Sequence, residues 1–355
     1  MFIKSVALQN FRNHARTTLG FCEGTNILVG DNAQGKTNLL EAIYMTCIGR
    51  GFKSPRDREV IRFGQQFARV KSVATRKFGD TTVEITIGPA KQILINGIPI
   101  SKMGELMGTI TCVFFNPDEL KLVKESPADR RRFMDIDISQ IDKAYFYNLL
   151  RYNKILKQRN ALLKTLKVSQ SGEISEDMSR ALDIWDGQLA ATGEQIINRR
   201  IFFCEELKKE VTTIHKILAP NETLAVQYET SAPSFLPALK TSREKDLRLR
   251  TTTVGPHRDD ILLLINDRDV RAYASQGQQR TVALSLKMAE LKIFEQHTGE
   301  RPIILLDDVL SELDEARQSK LLGLIKGWQS IITATDFLPH DKSIKVFKIA
   351  NGKVT

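Results

Sequence analysis

Cysteine is scarce in this 355-residue chain, and Cys22, Cys47, Cys112 and Cys204 are scattered with no C-x-x-C spacing. That excludes a disulfide framework and a cysteine-based zinc site as organising features, so the four read as buried free thiols. Long apolar runs are missing too. None approaches the roughly 18 residues of a membrane-spanning helix, and no membrane partner is expected. The opening stretch Met1–Phe11 alternates like a strand and lacks the apolar core and cleavage site of a secretion leader. The expected location is therefore cytoplasmic. Acidic residues are in deficit, with 42 Asp and Glu against 52 Lys and Arg, a net charge of +10.

What is present is an ordinary globular composition, 42% hydrophobic and 26% charged. The length allows two domains, or one large domain carrying an insertion. Much of the excess positive charge is concentrated. Arg50, Lys53, Arg56, Arg58, Arg62, Arg69, Lys71, Arg76 and Lys77 lie in one stretch with only Asp57 and Glu59 opposing them. Such a stretch is either a solvated face or the footprint of a polyanion, and nucleic acid is the polyanion it suits best.

The first 120 residues read mainly as strands: Ile3 to Phe11, Thr25 to Val29, Phe67 to Thr75, Thr81 to Ile87, Gln92 to Ile100 and Ile110 to Phe115. Asn96-Gly97 between apolar runs signals a type I′ hairpin. From Asp129 to Lys167 apolar residues recur at three- and four-residue steps, and again from Ser179 to Leu218. The polar run Ser169–Glu173 separates the two, so a helical hairpin is expected, ended by Pro220. A loop and charged helix start follow over Ser231 to Asp246. An α/β pattern then returns: a hairpin of Asp260 to Asn266 and Asp269 to Tyr273, a helix from Gln276 to His297, a buried strand Pro302 to Leu306, a helix Glu315 to Lys326 and a strand Ser330 to Thr335.

Chemistry concentrates in Gly30-Asp31-Asn32-Ala33-Gln34-Gly35-Lys36-Thr37, which fits G-x-x-x-x-G-K-[ST] between the apolar strand Thr25–Val29 and a helical pattern. The glycines let successive backbone N–H groups converge on a phosphate, and the helix that follows points its positive end there. Lys36 reaches the β/γ-phosphates and the Thr37 hydroxyl suits Mg²⁺. Pro302-Ile303-Ile304-Leu305-Leu306-Asp307-Asp308 is the complement: a buried strand ending in two carboxylates. Asp307 suits Mg²⁺ opposite Thr37, and Asp308 suits orienting or deprotonating the attacking water. Ser275-Gln276-Gly277-Gln278-Gln279-Arg280 opens the preceding helix as a second anion site, most economically explained if it meets the nucleotide of another subunit. Ser311-Glu312-Leu313-Asp314 follows the carboxylate strand.

The order of phosphate loop, SQGQQR, ILLDD and SELD resembles the ABC-type ATPase heads of the SMC class. Four features are similar to the RecF family within it: Asn10-Phe11-Arg12-Asn13, Ser126–Phe133, Val254–Asp260, and an insertion far shorter than an SMC arm. The resemblance implies an α/β fold, an ABC-type ATPase head with mixed sheets (a parallel P-loop core plus an antiparallel lobe), interrupted by a helical hairpin arm. The expected parts are 1–120 and 246–355 for the head and 121–245 for the arm. It also implies a weak, Mg²⁺-dependent ATPase that closes as an ATP-dependent homodimer on double-stranded or gapped DNA. The implied work is recombinational gap repair and replication-fork maintenance, with RecO- and RecR-type partners, recombinase loading and the SOS response.

By position, Lys36, Asp307 and Asp308 would be catalytic, Thr37 and Asp307 would hold Mg²⁺, and Ser275, Gly277 and Gln278 would act in trans, with Asp314 at the seam. Asp308 replaces the usual Glu and Thr335 the usual switch His, which argues for slow hydrolysis. Asn116 is the candidate for the glutamine-loop residue. His257 is expected to be structural. Arg130-Arg131-Arg132 could grip phosphates or pair with Asp129, Asp135 and Asp137. A transporter ATPase subunit or a small-molecule kinase would share the loop, but neither explains the DNA-type opening motif with SQGQQR and SELD.

Overall fold

The computed structural model describes residues 1–53, 56–116, 120–165, 175–335 and 344–354. The chain divides into two compact units, one of Met1–Leu120, Thr213–Asn221 and Arg280–Thr355, the other of Lys121–Thr212 and Glu222–Gln279.

The first unit holds two six-stranded sheets. One has the order Lys353–Val354, Lys345–Ala350, Thr25–Val29, Ser330–Ala334, Ile303–Asp307, Cys112–Phe115, and all of its neighbours run parallel except the edge pair Lys345–Ala350 with Lys353–Val354. Ile303–Asp307 and Ser330–Ala334 are buried at every residue, which is why they read as continuous apolar runs. Their parallel register brings Val29, Ala334, Asp307 and Phe115 to one edge. The other sheet is an antiparallel meander, His14–Gly20, Phe2–Phe11, Ala68–Arg76, Gly79–Ile87, Lys91–Ile95, Ile98–Pro99. Asn96 and Gly97 both take positive φ (51° and 80°), as the type I′ turn demands. Helix Lys36–Ile48 is buried along almost its whole length and touches strands of both sheets.

Some strands escape a reading of the sequence. His14–Gly20 is largely polar and buries only His14, Thr17 and Leu19; its pairing with Phe2–Phe11 makes it a strand. Lys345–Ala350 is held in the same way, by Thr25–Val29.

In the second unit the stretch expected as one helix from Asp129 breaks at Asp142 (φ −139°) into Pro127–Ile141 and Lys143–Thr165. The Asp142 carboxylate accepts the N–H of Tyr145 at 3.0 Å, offering the backbone an alternative to the helix. Helix Glu176–Leu218 runs from this unit into the first. The end of the first expected helix and the turn at Ser169–Glu173 lie outside the described residues. Strands Leu224–Glu229, Asp260–Ile265 and Arg268–Asp269 form a small antiparallel sheet, and Val270–Tyr273, expected as strand, is a helical turn capped by Asp269.

The interior of this unit is charged. Fully buried Arg159 donates to Asp186 and Asp246, each at 2.7 Å, and to the Thr252 hydroxyl at 2.8 Å. Buried Arg130 makes a fork to Asp260 at 2.6 and 2.9 Å, and Arg131 donates to the Asp259 carbonyl at 2.7 Å. Pairing, the second of the two roles open to the arginine triplet, is what Arg130 does, though with an acid 130 residues away. These ties hold residues 246–260 to the arm; the second unit runs on to Gln279, beyond the boundary expected at 245, and 213–221 group with the first unit. Among the described residues no helix is long and apolar enough to cross a membrane.

Candidate nucleotide site

The loop after Thr25–Val29 is shaped by what surrounds it. A Cβ on Gly30 would stand 2.2 Å from the Ile349 carbonyl oxygen, and one on Gly35 (φ +115°) within 3 Å of Asn13 and His14 side-chain atoms. Only glycine fits either place. Gly35 is also the residue preceding helix Lys36–Ile48, whose first N–H groups are the natural donors to a phosphate.

Beneath the loop the two halves of the sequence meet. The Thr37 hydroxyl donates to Asp307 Oδ1 at 2.8 Å, linking residues 270 apart. The Thr333 hydroxyl donates to the same oxygen at 2.9 Å and accepts the Asp308 N–H at 2.8 Å. Burial pushes the Asp307 carboxyl above its ordinary value, more than the two hydroxyls lower it. Lys36 donates to the Gly30 carbonyl, and to that of Asp31 at 2.9 Å. Burial lowers its pKa, opposed by the charges of Asp308, Asp307 and Asp31.

A hydroxyl and a carboxylate sharing a hydrogen bond beside a phosphate loop are the donor set of a nucleotide-bound Mg²⁺, which takes few protein ligands and completes its shell with phosphate oxygens and water. No group of three or more His, Cys, Asp or Glu suited to a metal occurs among the described residues. Asp308 sits in the left-handed region (φ 55°) with its carboxylate accepting from Ser311 at 3.1 Å. Asn116, after the neighbouring strand Cys112–Phe115, keeps a buried side-chain oxygen with no hydrogen-bond partner.

A network that the motif does not reveal braces the loop from outside. Asn13 donates to the Gln34 carbonyl at 2.9 Å and accepts from Asn38 at 2.9 Å. His14 Nε2 lies 3.1 Å from the Gly35 carbonyl and its Nδ1 2.9 Å from that of Gly352. The Gly352 N–H donates to the Gln34 carbonyl at 2.9 Å. Asn13 closes the Asn10–Asn13 motif and His14 follows it, the one hint in the sequence; nothing there marks the Asn351-Gly352 turn.

A family model described as the RecF/RecN/SMC N terminal domain matches residues 2–352. The chain belongs to this family. It is 42% identical over 363 residues to the DNA replication and repair protein RecF of Lachnospira eligens, covering 100% of this chain and 99% of that protein. The RecF of Lachnoclostridium phytofermentans gives the same identity and coverage. A solved structure of the recombination mediator protein RecF with ATP in the RecFOR pathway superposes with a TM-score of 0.90 at 39% identity, covering 100% of this chain and 97% of the other. An SMC head bound to the C-winged helix domain of ScpA shares the fold, with a TM-score of 0.57 at 15% identity, covering 100% and 97%. The fold of this RecF-family chain is thus an ABC-type head with a parallel core, an antiparallel lobe and a helical arm.

Ser275 is exposed at the start of helix Gln276–Thr298 and exchanges hydrogen bonds with Gln278: its N–H donates to Gln278 Oε1 at 2.8 Å, and the Gln278 N–H donates to its hydroxyl at 3.3 Å. Ser275, Gly277 and Gln278 belong to the second unit, whereas the loop and Asp307 belong to the first. Asp314 caps helix Glu315–Leu324, accepting the Arg317 N–H at 2.9 Å. His257 is half-buried, with Nδ1 accepting from Tyr152 at 2.7 Å and Nε2 donating to the Thr252 carbonyl at 3.0 Å.

The basic stretch is not one patch. Arg76 is forked to Glu300 at 2.9 and 3.0 Å, and Arg69 pairs with Glu84 at 2.8 Å. Strand Ala68–Arg76 carries Arg76 and Lys77 to the end of the sheet away from Arg62, which donates to the Asn13 carbonyl at 2.9 Å. Arg50, Lys53, Arg56, Arg58, Lys71 and Lys77 are exposed.

Proposed function

We propose that this chain is an ATP-dependent DNA-binding protein of replication and recombinational gap repair, and that ATP acts in it as a switch. The observation that carries this is the Thr37–Asp307 contact beneath the glycine-braced loop, in a chain of the RecF family. ATP would lie along Gly30–Thr37, with Lys36 on its β/γ-phosphates and Thr37 and Asp307 holding Mg²⁺. The cation, when bound, neutralises charge on the phosphates. Asp308, a methylene shorter than the Glu of most such heads, would orient the attacking water less firmly, so that hydrolysis is slow.

Ser275, Gly277 and Gln278 would close over the γ-phosphate of a second copy, making an ATP-dependent homodimer around DNA. The relatives named as RecF, and as a recombination mediator in the RecFOR pathway, support RecO- and RecR-type partners; recombinase loading and a part in the SOS response would follow from that role. The exposed basic residues from Arg50 to Arg58, with Lys71 and Lys77, would meet the DNA backbone without reading bases. The test is ATP hydrolysis with and without duplex DNA. Stimulation by duplex that disappears in Lys36→Ala supports the reading; hydrolysis or phosphate transfer indifferent to DNA would oppose it.

A further inference from the structure

On the first unit a cleft of about 510 Å³ opens between the turn at residues 61–66 and Gly88-Pro89. Arg58, Ile61, Arg62, Phe63, Gln65 and Gln66 line it, with no acidic residue among its lining. Phe63 is fully exposed. Its ring packs on nothing in the unit, so its face is open to a ligand in the cleft. Arg62 is anchored by one N–H to the Asn13 carbonyl at 2.9 Å, which leaves the rest of its donor fork for an anion. Arg58 makes only a long contact, 3.5 Å, to the Pro89 carbonyl across the cleft.

Cations that suit a phosphate, a ring that suits a flat face and amides that suit a base edge together describe a nucleotide. Within a duplex each base is stacked on both sides, so only an unpaired one can offer a face to Phe63. We propose that this cleft takes an unpaired nucleotide of a DNA strand, with its phosphate against Arg58 and Arg62 and its base stacked on Phe63. The inference rests on the reading of the chain as a DNA-binding protein and adds a means of telling gapped from continuous duplex.

The test is fluorescence anisotropy of the full chain, with ATP and Mg²⁺, on three ligands: a blunt duplex, the same duplex with a short single-stranded gap, and that gap built of abasic residues. Wild type should favour the gap with bases over the other two. Phe63→Ala should weaken that ligand about fivefold or more, the low end for one lost stacked base, and leave the other two within about twofold. Phe63→Tyr should restore it. Arg58→Gln should weaken both gapped ligands while keeping the difference between them. Since Phe63 covers nothing, its removal should not disturb folding, which the thermal midpoint checks. Phe63→Ala without effect on the gap, or weakening the blunt duplex equally, would overturn the cleft's role. A wild-type chain that binds none of the three would overturn the DNA reading and the cleft with it.

Discussion

Asp307 shows how much one buried oxygen can carry, for its Oδ1 accepts from Thr37 and Thr333 while burial raises its pKa. A carboxyl whose folded pKa is raised lowers stability wherever it must ionise, that is, above its unfolded value. Asn keeps an acceptor for both hydroxyls and never ionises. Asp307→Asn should therefore have a higher melting temperature than wild type at neutral pH without nucleotide, the two converging as pH falls toward the ordinary Asp value of 3.8, and it should lose Mg²⁺-dependent hydrolysis. His257 has the opposite sign. Burial pushes its imidazole down from 6.5 to about 4, so it stabilises the fold fully above pH 6.5 and progressively less toward pH 4. The stability lead of wild type over His257→Gln should narrow across that window in melts taken at a series of pH values. It should remain neutral near pH 7 by NMR titration, as befits a structural role.

Among elements, legibility followed the source of the fold information. Thr25–Val29 and Ile303–Asp307 were readable because burial on both faces leaves an apolar run, and the glycine loop because its geometry demands particular residues. The order of loop, carboxylate strand and signature exposed the candidate site. His14–Gly20 and Lys345–Ala350 were not readable, since neighbouring strands rather than their own patterns hold them. The same is true of the braces at His14 and Gly352, separated by 338 residues, and of Arg130 with Asp260. Long-range polar pairs leave no periodicity.

Packing between elements gives its own prediction. Phe235 is clamped by Gly193 of the long helix and by Gly255, where added Cβ atoms would stand 2.3 and 2.4 Å from its ring. Gly255 also has φ +119°. Gly255→Ala should destabilise the chain by about 1–3 kcal/mol, read by denaturant melts, as overpacking of a tight core does. In the loop, Gly30→Ala should instead abolish nucleotide binding by calorimetry, because the opposing Ile349 carbonyl is backbone and cannot swing aside.

At the scale of the whole molecule, the proposed switch has one chain's nucleotide completed by another's signature. The loop, Thr37 and Asp307 lie in one unit and Ser275 in the other, with Ser275 exposed at its helix start. The measurement that tests this most directly is sedimentation of the full chain without nucleotide, with ADP and with ATP, each with and without duplex DNA, beside Lys36→Arg and Ser275→Arg. A shift from monomer to dimer that requires ATP and is lost in both variants is expected. A chain that stays monomeric with ATP and DNA, or a dimer indifferent to Ser275→Arg, would contradict it.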